Sequence, residues 1–137
     1  MSQVHATCIS VGGKGVLLRG PSGAGKSDLA LRLIDEGADL VADDRVDLCT
    51  IDGQIIASAP VNIKGLLEVR GLGIVQKDVC DESIVVLVVD LVSADDVERM
   101  PDPECASIDG VDIPRIRLHP FYASTPAKIR TALTRRD

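Results

Sequence analysis

Gly20-Pro21-Ser22-Gly23-Ala24-Gly25-Lys26-Ser27 is the stretch whose reading decides the fold of this chain. It fills every fixed position of the phosphate-binding pattern G-x-x-x-x-G-K-[ST]. An apolar run, Gly15-Val16-Leu17-Leu18, leads into it and reads as a strand. Ser27-Asp28-Leu29-Ala30-Leu31-Arg32-Leu33-Ile34 leads out and reads as a helix. Glycines let a backbone curl so that successive N–H groups face an anion without Cβ clashes. The first turn of the helix adds unpaired N–H groups and the positive end of its dipole. Lys26 is expected to reach the β- and γ-phosphates of a nucleoside triphosphate, and the Ser27 hydroxyl to ligate Mg²⁺.

A chain of 137 residues is expected to form one domain, residues 1–137, with room for a core but not for a second domain. The formal charge of −6 argues against a nucleic-acid partner, which calls for a basic stripe. Phe121 and Tyr122 are the only aromatics, so base-stacking platforms for a nucleic acid are missing and the core must be aliphatic. Cys8, Cys49, Cys80 and Cys105 show no C-x-x-C and no paired spacing with His5 or His119, which reads as reduced, buried thiols. No apolar run approaches the ~20 residues of a membrane span, and Met1–His5 has no leader pattern; the expected compartment is the cytoplasm.

Taken in order, the chain reads as strands punctuated by turns, with two helices. Val4–Val11 reads as one strand, turning at Gly12-Gly13-Lys14 into Gly15–Arg19. A helix is expected from Lys26 to Glu36, stopped by Gly37. Leu40-Val41-Ala42 reads as a short buried strand, and Asp52-Gly53 as the turn of a hairpin of Asp47–Ile51 and Gln54–Ser58. Ile84–Asp90 reads as a central strand, Ser93–Glu98 as one helical turn and Val111–Leu118 as another strand. The last helix is expected from Pro126 toward Arg135, capped by Ser124 or Thr125, with Lys128, Arg130, Arg135 and Arg136 on a solvated face.

A phosphate cradle does not say where the γ-phosphate goes. A second element must hold the metal and activate an attacking oxygen, and two segments qualify. Ile84-Val85-Val86-Leu87-Val88-Val89-Asp90 is an apolar strand ending in Asp, and by spacing alone Asp90 is favoured for the metal. The alternative is Asp43-Asp44, where repulsion between adjacent carboxylates suits one of them to accepting a hydroxyl proton.

The chain also resembles the catalytic domain of HPr kinase/phosphorylase, the bacterial enzyme that phosphorylates a serine of the phosphocarrier protein HPr. The motifs that carry the resemblance are His5, the loop Gly20–Ser27, Leu40-Val41-Ala42-Asp43-Asp44 and Glu68-Val69-Arg70-Gly71-Leu72-Gly73-Ile74, in that order. The resemblance covers His5 to about Leu118. It implies an α/β P-loop domain with a mixed sheet and few helices, similar to phosphoenolpyruvate carboxykinase. It implies that Lys26 neutralises the phosphoryl group in flight, that Ser27 and Glu68 hold Mg²⁺, and that Asp44 is the general base, becoming the acid in the reverse reaction. His5 is implied as the histidine that tunes Asp44. Asp43 and Arg70-Gly71-Leu72-Gly73 would complete the loop facing the substrate, and Arg99 would contact phosphate. Asp90 then becomes a strand-end residue, so Asp44→Asn is expected to abolish transfer and Asp90→Asn to leave much of it. HPr is the implied partner, and a homo-oligomer, a hexamer in the family, is the implied assembly.

Three departures stand out. The family's loop begins Gly-Asp-Ser-Gly, and here Pro21 replaces the carboxylate. His5 lies close to the start, which resembles a short form with the catalytic domain alone. The family's arginine-rich loop for phosphorolysis survives only as Ile113-Pro114-Arg115-Ile116-Arg117-Leu118, whose Arg115 and Arg117 share one face of a strand and could bind phosphate or a neighbouring subunit. Kinase activity is therefore the firmer implication. The rival readings are a small-molecule P-loop kinase and a nucleotide-sensing regulator that transfers nothing.

Overall fold

The computed structural model describes residues 1–135. In chain order its elements are β1 (Ser2–Val4), β2 (Thr7–Val11), β3 (Lys14–Arg19), α1 (Lys26–Asp35), β4 (Asp39–Ala42), β5 (Val46–Ile51), β6 (Gln54–Ser58), β7 (Leu66–Val69), β8 (Gly73–Gln76), β9 (Glu82–Leu91), β10 (Glu104–Ile108), β11 (Val111–Leu118) and α2 (Thr125–Thr134). Short 3₁₀ turns occupy Val61–Ile63 and Ala94–Asp96. Nine strands form one mixed sheet, and β7 and β8 pair as a separate hairpin.

β9 is the axis of the sheet. Its second half lies parallel to β3 and to β11, with Leu17 opposite Val88 and Ile116 opposite Val89. Its first half runs antiparallel to β6, where Ile56 faces Ile84. Along β3 the register jumps from Gly15↔Val85 to Val16↔Leu87, which leaves Val86 as an extra residue. Such a bulge reverses the side-chain alternation. Val85 therefore joins one core, while Leu87, Val89 and Leu91 join the other.

The first core packs that face of the sheet on Leu29, Ala30 and Leu33 of α1, Ile129 of α2 and Leu67 and Val69 of the hairpin. The second joins Leu17 and Val88 to Val46, Leu48, Ile55 and Ala57 of β5 and β6 and to Ala106, Ile108 and Ile113 of β10 and β11. The sheet thus curls so that its outer strands cover its own second face. α1 ends as its sequence requires: the N–H groups of Gly37 and Ala38 return to the carbonyls of Ile34 and Leu33, both at 3.0 Å, with Gly37 at φ +109°.

The expected strand Val4–Val11 is two strands. β1 pairs with β5 and β2 with β3 and β4, so His5 and Ala6 become the link between pairing partners. The expected turn at Ser93–Glu98 is the 3₁₀ turn Ala94–Asp96. Of the four thiols expected to be buried only Cys8 is; Cys49 and Cys80 are half-buried, and Cys105 is exposed on the edge strand β10. β10 has no counterpart in the sequence reading; it pairs with β11 through Asp109-Gly110, both at positive φ, the geometry of a two-residue hairpin turn. On α2, Arg130 pairs with Glu36 and Lys128 lies 5.2 Å above the Tyr122 ring, so that face is not merely solvated; Arg136 lies outside the described residues. No helix among the described residues is long and apolar enough to cross a membrane.

Candidate active site

Parallel strands that end at one edge of a sheet leave a crevice there, where open α/β folds take their ligands. At the end of β3 the chain turns through Gly20–Gly25 into α1. The turn is closed by Ala24 N–H on the Pro21 carbonyl at 3.0 Å, and Leu29 N–H bonds the Gly25 carbonyl at 2.9 Å. Gly25 is the N-cap, at φ +97°, and a Cβ there would stand 2.9 Å from Cζ of Phe121. Both its conformation and its neighbour therefore require glycine. Lys26 is buried, and its ammonium donates to the carbonyls of Gly20 at 2.5 Å and Pro21 at 3.0 Å, inside the loop it belongs to.

β4 delivers Asp43 and Asp44 to the same place but into different surroundings. Asp43 is buried; its Oδ1 accepts from the hydroxyls of Thr7 and Ser27, both at 2.8 Å, and its Oδ2 from Glu68 N–H at 3.2 Å. One carboxylate thereby ties β2, the first turn of α1 and β7 together. Asp44 faces outward with its side chain 67% exposed, and its Oδ1 lies 2.8 Å from Nε2 of His5. The backbone reverses at this point: Arg45 N–H returns to the Asp43 carbonyl at 2.9 Å, with Asp44 at φ +71°. A three-residue turn of that kind is a strained device, found where a side chain must be held in one orientation.

In the β7–β8 hairpin, Leu67 and Val69 go to the core, and Glu68 and Arg70 take the alternate face. Arg70 reaches over the glycine-rich loop, where a Cβ on Gly23 would lie 4.0 Å from its Nη2. His5, Ser22, Gly23, Lys26, Ser27, Asp43, Asp44, Glu68 and Arg70 line one open cavity of about 300 Å³. Its lining thus holds two cations, Lys26 and Arg70, and three carboxylates of the motif residues, Asp43, Asp44 and Glu68. Among the described residues no three His, Cys, Asp or Glu side chains converge as a ready metal cluster.

Residues 1–129 match the family described as HPr Serine kinase C-terminal domain. The chain belongs to that family. It is 50% identical over 74 residues to the HPr kinase/phosphorylase of Clostridium tetani, covering 54% of this chain and 24% of the relative. It is 41% identical over 102 residues to that of Lactobacillus delbrueckii subsp. bulgaricus, covering 69% of this chain and 32% of the relative. The chain thus spans a quarter to a third of these curated relatives. Among solved structures it superposes on the Hpr(Ser) kinase/phosphatase from Coxiella burnetii with a TM-score of 0.86 at 29% identity, covering 97% of this chain and 94% of that one.

Within the family frame, the motif residues fall into two groups. His5, Lys26, Ser27, Asp43, Asp44, Glu68 and Arg70 converge on the cavity. Gly71, Leu72 and Gly73 form the tip of the hairpin, where Leu72 is 77% exposed and Leu72 N–H bonds the Val69 carbonyl. Arg99, Arg115 and Arg117 do not reach the cavity. Arg99 is exposed on the segment after the 3₁₀ turn. Arg115 and Arg117 both meet Glu104, and Arg115 also meets Asp90, so the shared face is real and occupied by carboxylates. Asp90 stands apart too, held by Arg19 through Nε at 2.7 Å and Nη2 at 3.0 Å. Sequence reasoning missed Thr7, Asp28, Leu31 and Phe121 in the cavity wall. Thr7 had a faint signal, lying two residues from His5; Phe121 had none.

Proposed function

We propose that this chain transfers the γ-phosphoryl group of ATP to a serine hydroxyl of an HPr-type phosphocarrier protein. The observation that carries this reading is the His5–Asp44 contact at 2.8 Å, placed on the same cavity as Lys26 and the first turn of α1. The glycine-rich turn acts as a P-loop, its N–H groups and helix dipole holding the β- and γ-phosphates. The domain is a single catalytic unit over residues 1–137, related in architecture to phosphoenolpyruvate carboxykinase.

Lys26 leaves the carbonyls of Gly20 and Pro21 for the phosphate oxygens, exchanging neutral acceptors for charged ones. Asp44 accepts the serine hydroxyl proton as the serine oxygen attacks phosphorus and ADP leaves; His5 fixes the orientation of that carboxylate. Arg70 and Lys26 offset the charge spreading over the phosphoryl oxygens, so catalysis rests on positioning and electrostatics. The oxygen donors Ser27 Oγ, Asp43 and Glu68 suit a hydrated Mg²⁺, which prefers one or two carboxylates plus phosphate. When bound, that ion neutralises the β- and γ-phosphates. In the reverse direction inorganic phosphate attacks phosphoserine to give pyrophosphate, and Asp44 returns the proton to the serine oxygen. Arg115 and Arg117 are already paired with carboxylates, so the phosphorolytic reaction has the weaker support. The setting we propose is cytoplasmic and oligomeric, up to a hexamer.

Incubation with labelled ATP, Mg²⁺ and purified HPr tests this reading. Label is expected on an HPr serine, with Asp44→Asn lowering the rate by about 10²–10⁴-fold. Label on a metabolite, or nucleotide binding with no transfer to any protein, would overturn it.

A further inference from the structure

The chain has one phenylalanine, and the fold leaves it 60% exposed on the wall of the cavity. Phe121 sits in the loop after β11, the strand parallel to β9 as β3 is, so this loop and the glycine-rich loop leave the sheet at the same edge. The loop is firmly held. Arg32 of α1 donates to the carbonyls of Pro120 and Tyr122. Thr125 Oγ1 donates to the His119 carbonyl at 2.6 Å, Thr125 N–H to the Tyr122 carbonyl at 3.1 Å, and His119 Nδ1 lies 3.1 Å from the Val92 carbonyl. His119 packs edge-on against both Phe121 and Tyr122, with ring centroids 5.7 Å and 4.7 Å away. One edge of the phenyl ring rests on Gly25, immediately before the phosphate-facing Lys26. Leu31, on the next turn of α1 beyond Ser27, adds an apolar neighbour in the same wall.

A large apolar ring, fixed by so many contacts and yet left open, is poised to meet a flat partner. We propose that Phe121 is the face on which the nucleobase of the bound nucleotide stacks, with Leu31 bordering it. This rests on the nucleotide-binding reading above and adds the base subsite to it. The ring touches Gly25 at the phosphate cradle and lines the same cavity as the Asp44–His5 pair, so one ligand can occupy cradle and ring together while the acceptor serine approaches Asp44. A flat apolar face recognises the π-surface common to all bases, not the pattern of one base edge.

Calorimetric titration of the chain with ADP and with inorganic pyrophosphate, in Mg²⁺, tests it. Pyrophosphate uses the cradle alone; ADP uses cradle and ring. Phe121→Ala is expected to weaken ADP by about ten-fold while leaving pyrophosphate within about two-fold, and Phe121→Trp to restore ADP binding. Unchanged pyrophosphate binding also certifies that the loop is intact, and Phe121→Leu, which keeps apolar bulk without the aromatic face, is expected to fall between. ADP binding unaffected by Phe121→Ala would overturn the stacking role, and so would a parallel loss of both ligands, which would make the ring a mere support for Gly25. A wild-type chain that binds neither ligand would instead remove the nucleotide reading itself.

Discussion

Two adjacent carboxylates, Asp43 and Asp44, end up doing opposite things. Asp43 is a buried acceptor for two hydroxyls and one amide. Asparagine there keeps one oxygen for Glu68 N–H, while the hydroxyls of Thr7 and Ser27 lose their charged acceptor and must turn round to accept from its NH₂. Asp43→Asn is accordingly expected to lower stability by about 2–4 kcal/mol, read as a drop in urea midpoint. Asp44 is exposed and sits at φ +71°, a conformation asparagine tolerates well and alanine poorly. Asp44→Asn should therefore keep its stability within about 0.5 kcal/mol while losing transfer, and Asp44→Ala should lose transfer and a further ~1 kcal/mol. If Asp44→Asn instead unfolds the chain, the residue is structural. This division was half legible in the sequence. The family resemblance brought His5, Lys26 and Asp44 together, but which carboxylate goes inward depends on the turn closed by Arg45 N–H. Phe121 stayed hidden because its place is fixed by contacts with α1 and the glycine-rich loop, remote along the chain.

At the scale of elements, β2 carries a test of how dry the second core is. Cys8 is wholly buried between Leu17 of β3 and Ala42 of β4, and burial pushes its thiol up to about 12. In the unfolded chain that thiol ionises near 9.0. Between these values the native state holds a proton that the unfolded state has released, so stability is fully present below about 9 and falls as pH rises toward 12. The slope for one proton is about 1.4 kcal/mol per pH unit. Urea melts across this range should show the decline, and Cys8→Ala should flatten it while costing about 1 kcal/mol at neutral pH. An identical slope in Cys8→Ala would place the alkaline sensitivity elsewhere. The elements that were legible beforehand are those with local punctuation: α1 between the glycine-rich loop and Gly37, and the hairpins at Gly12-Gly13 and Asp52-Gly53. β10 was not, since Cys105-Ala106-Ser107 has weak strand propensity and follows two prolines; its pairing with β11 creates it. The break at His5-Ala6 was equally invisible, because it reflects a change of partner strand and not a change of composition.

Across the whole molecule, the sheet's functional edge is laced by an ion ladder. Arg19 of β3 grips Asp90 of β9, Arg115 of β11 bridges Asp90 to Glu104 of β10, and Arg117 shares Glu104. Arg19 directly precedes Gly20, so the ladder anchors the strand from which the glycine-rich loop departs. An apolar strand ending in aspartate gives Asp90 the look of a metal ligand, yet both its oxygens are taken by guanidinium groups and it lies off the cavity wall. Its side chain and that of Arg115 are 20% and 22% exposed, so the pairing is only partly screened by water. Asp90→Asn would leave two guanidinium groups short of a carboxylate, at a cost of about 1–3 kcal/mol. For a chain of this size that is a fall of several degrees in Tm, smaller at high salt because Arg19 is partly solvated. Phosphoryl transfer measured below the transition should survive largely intact in Asp90→Asn, opposite to Asp44→Asn, which should keep its Tm and lose transfer. The reverse ranking, with Asp90→Asn inactive but stable, would make the end of β9 the metal-holding position and remove Asp44 from the chemistry.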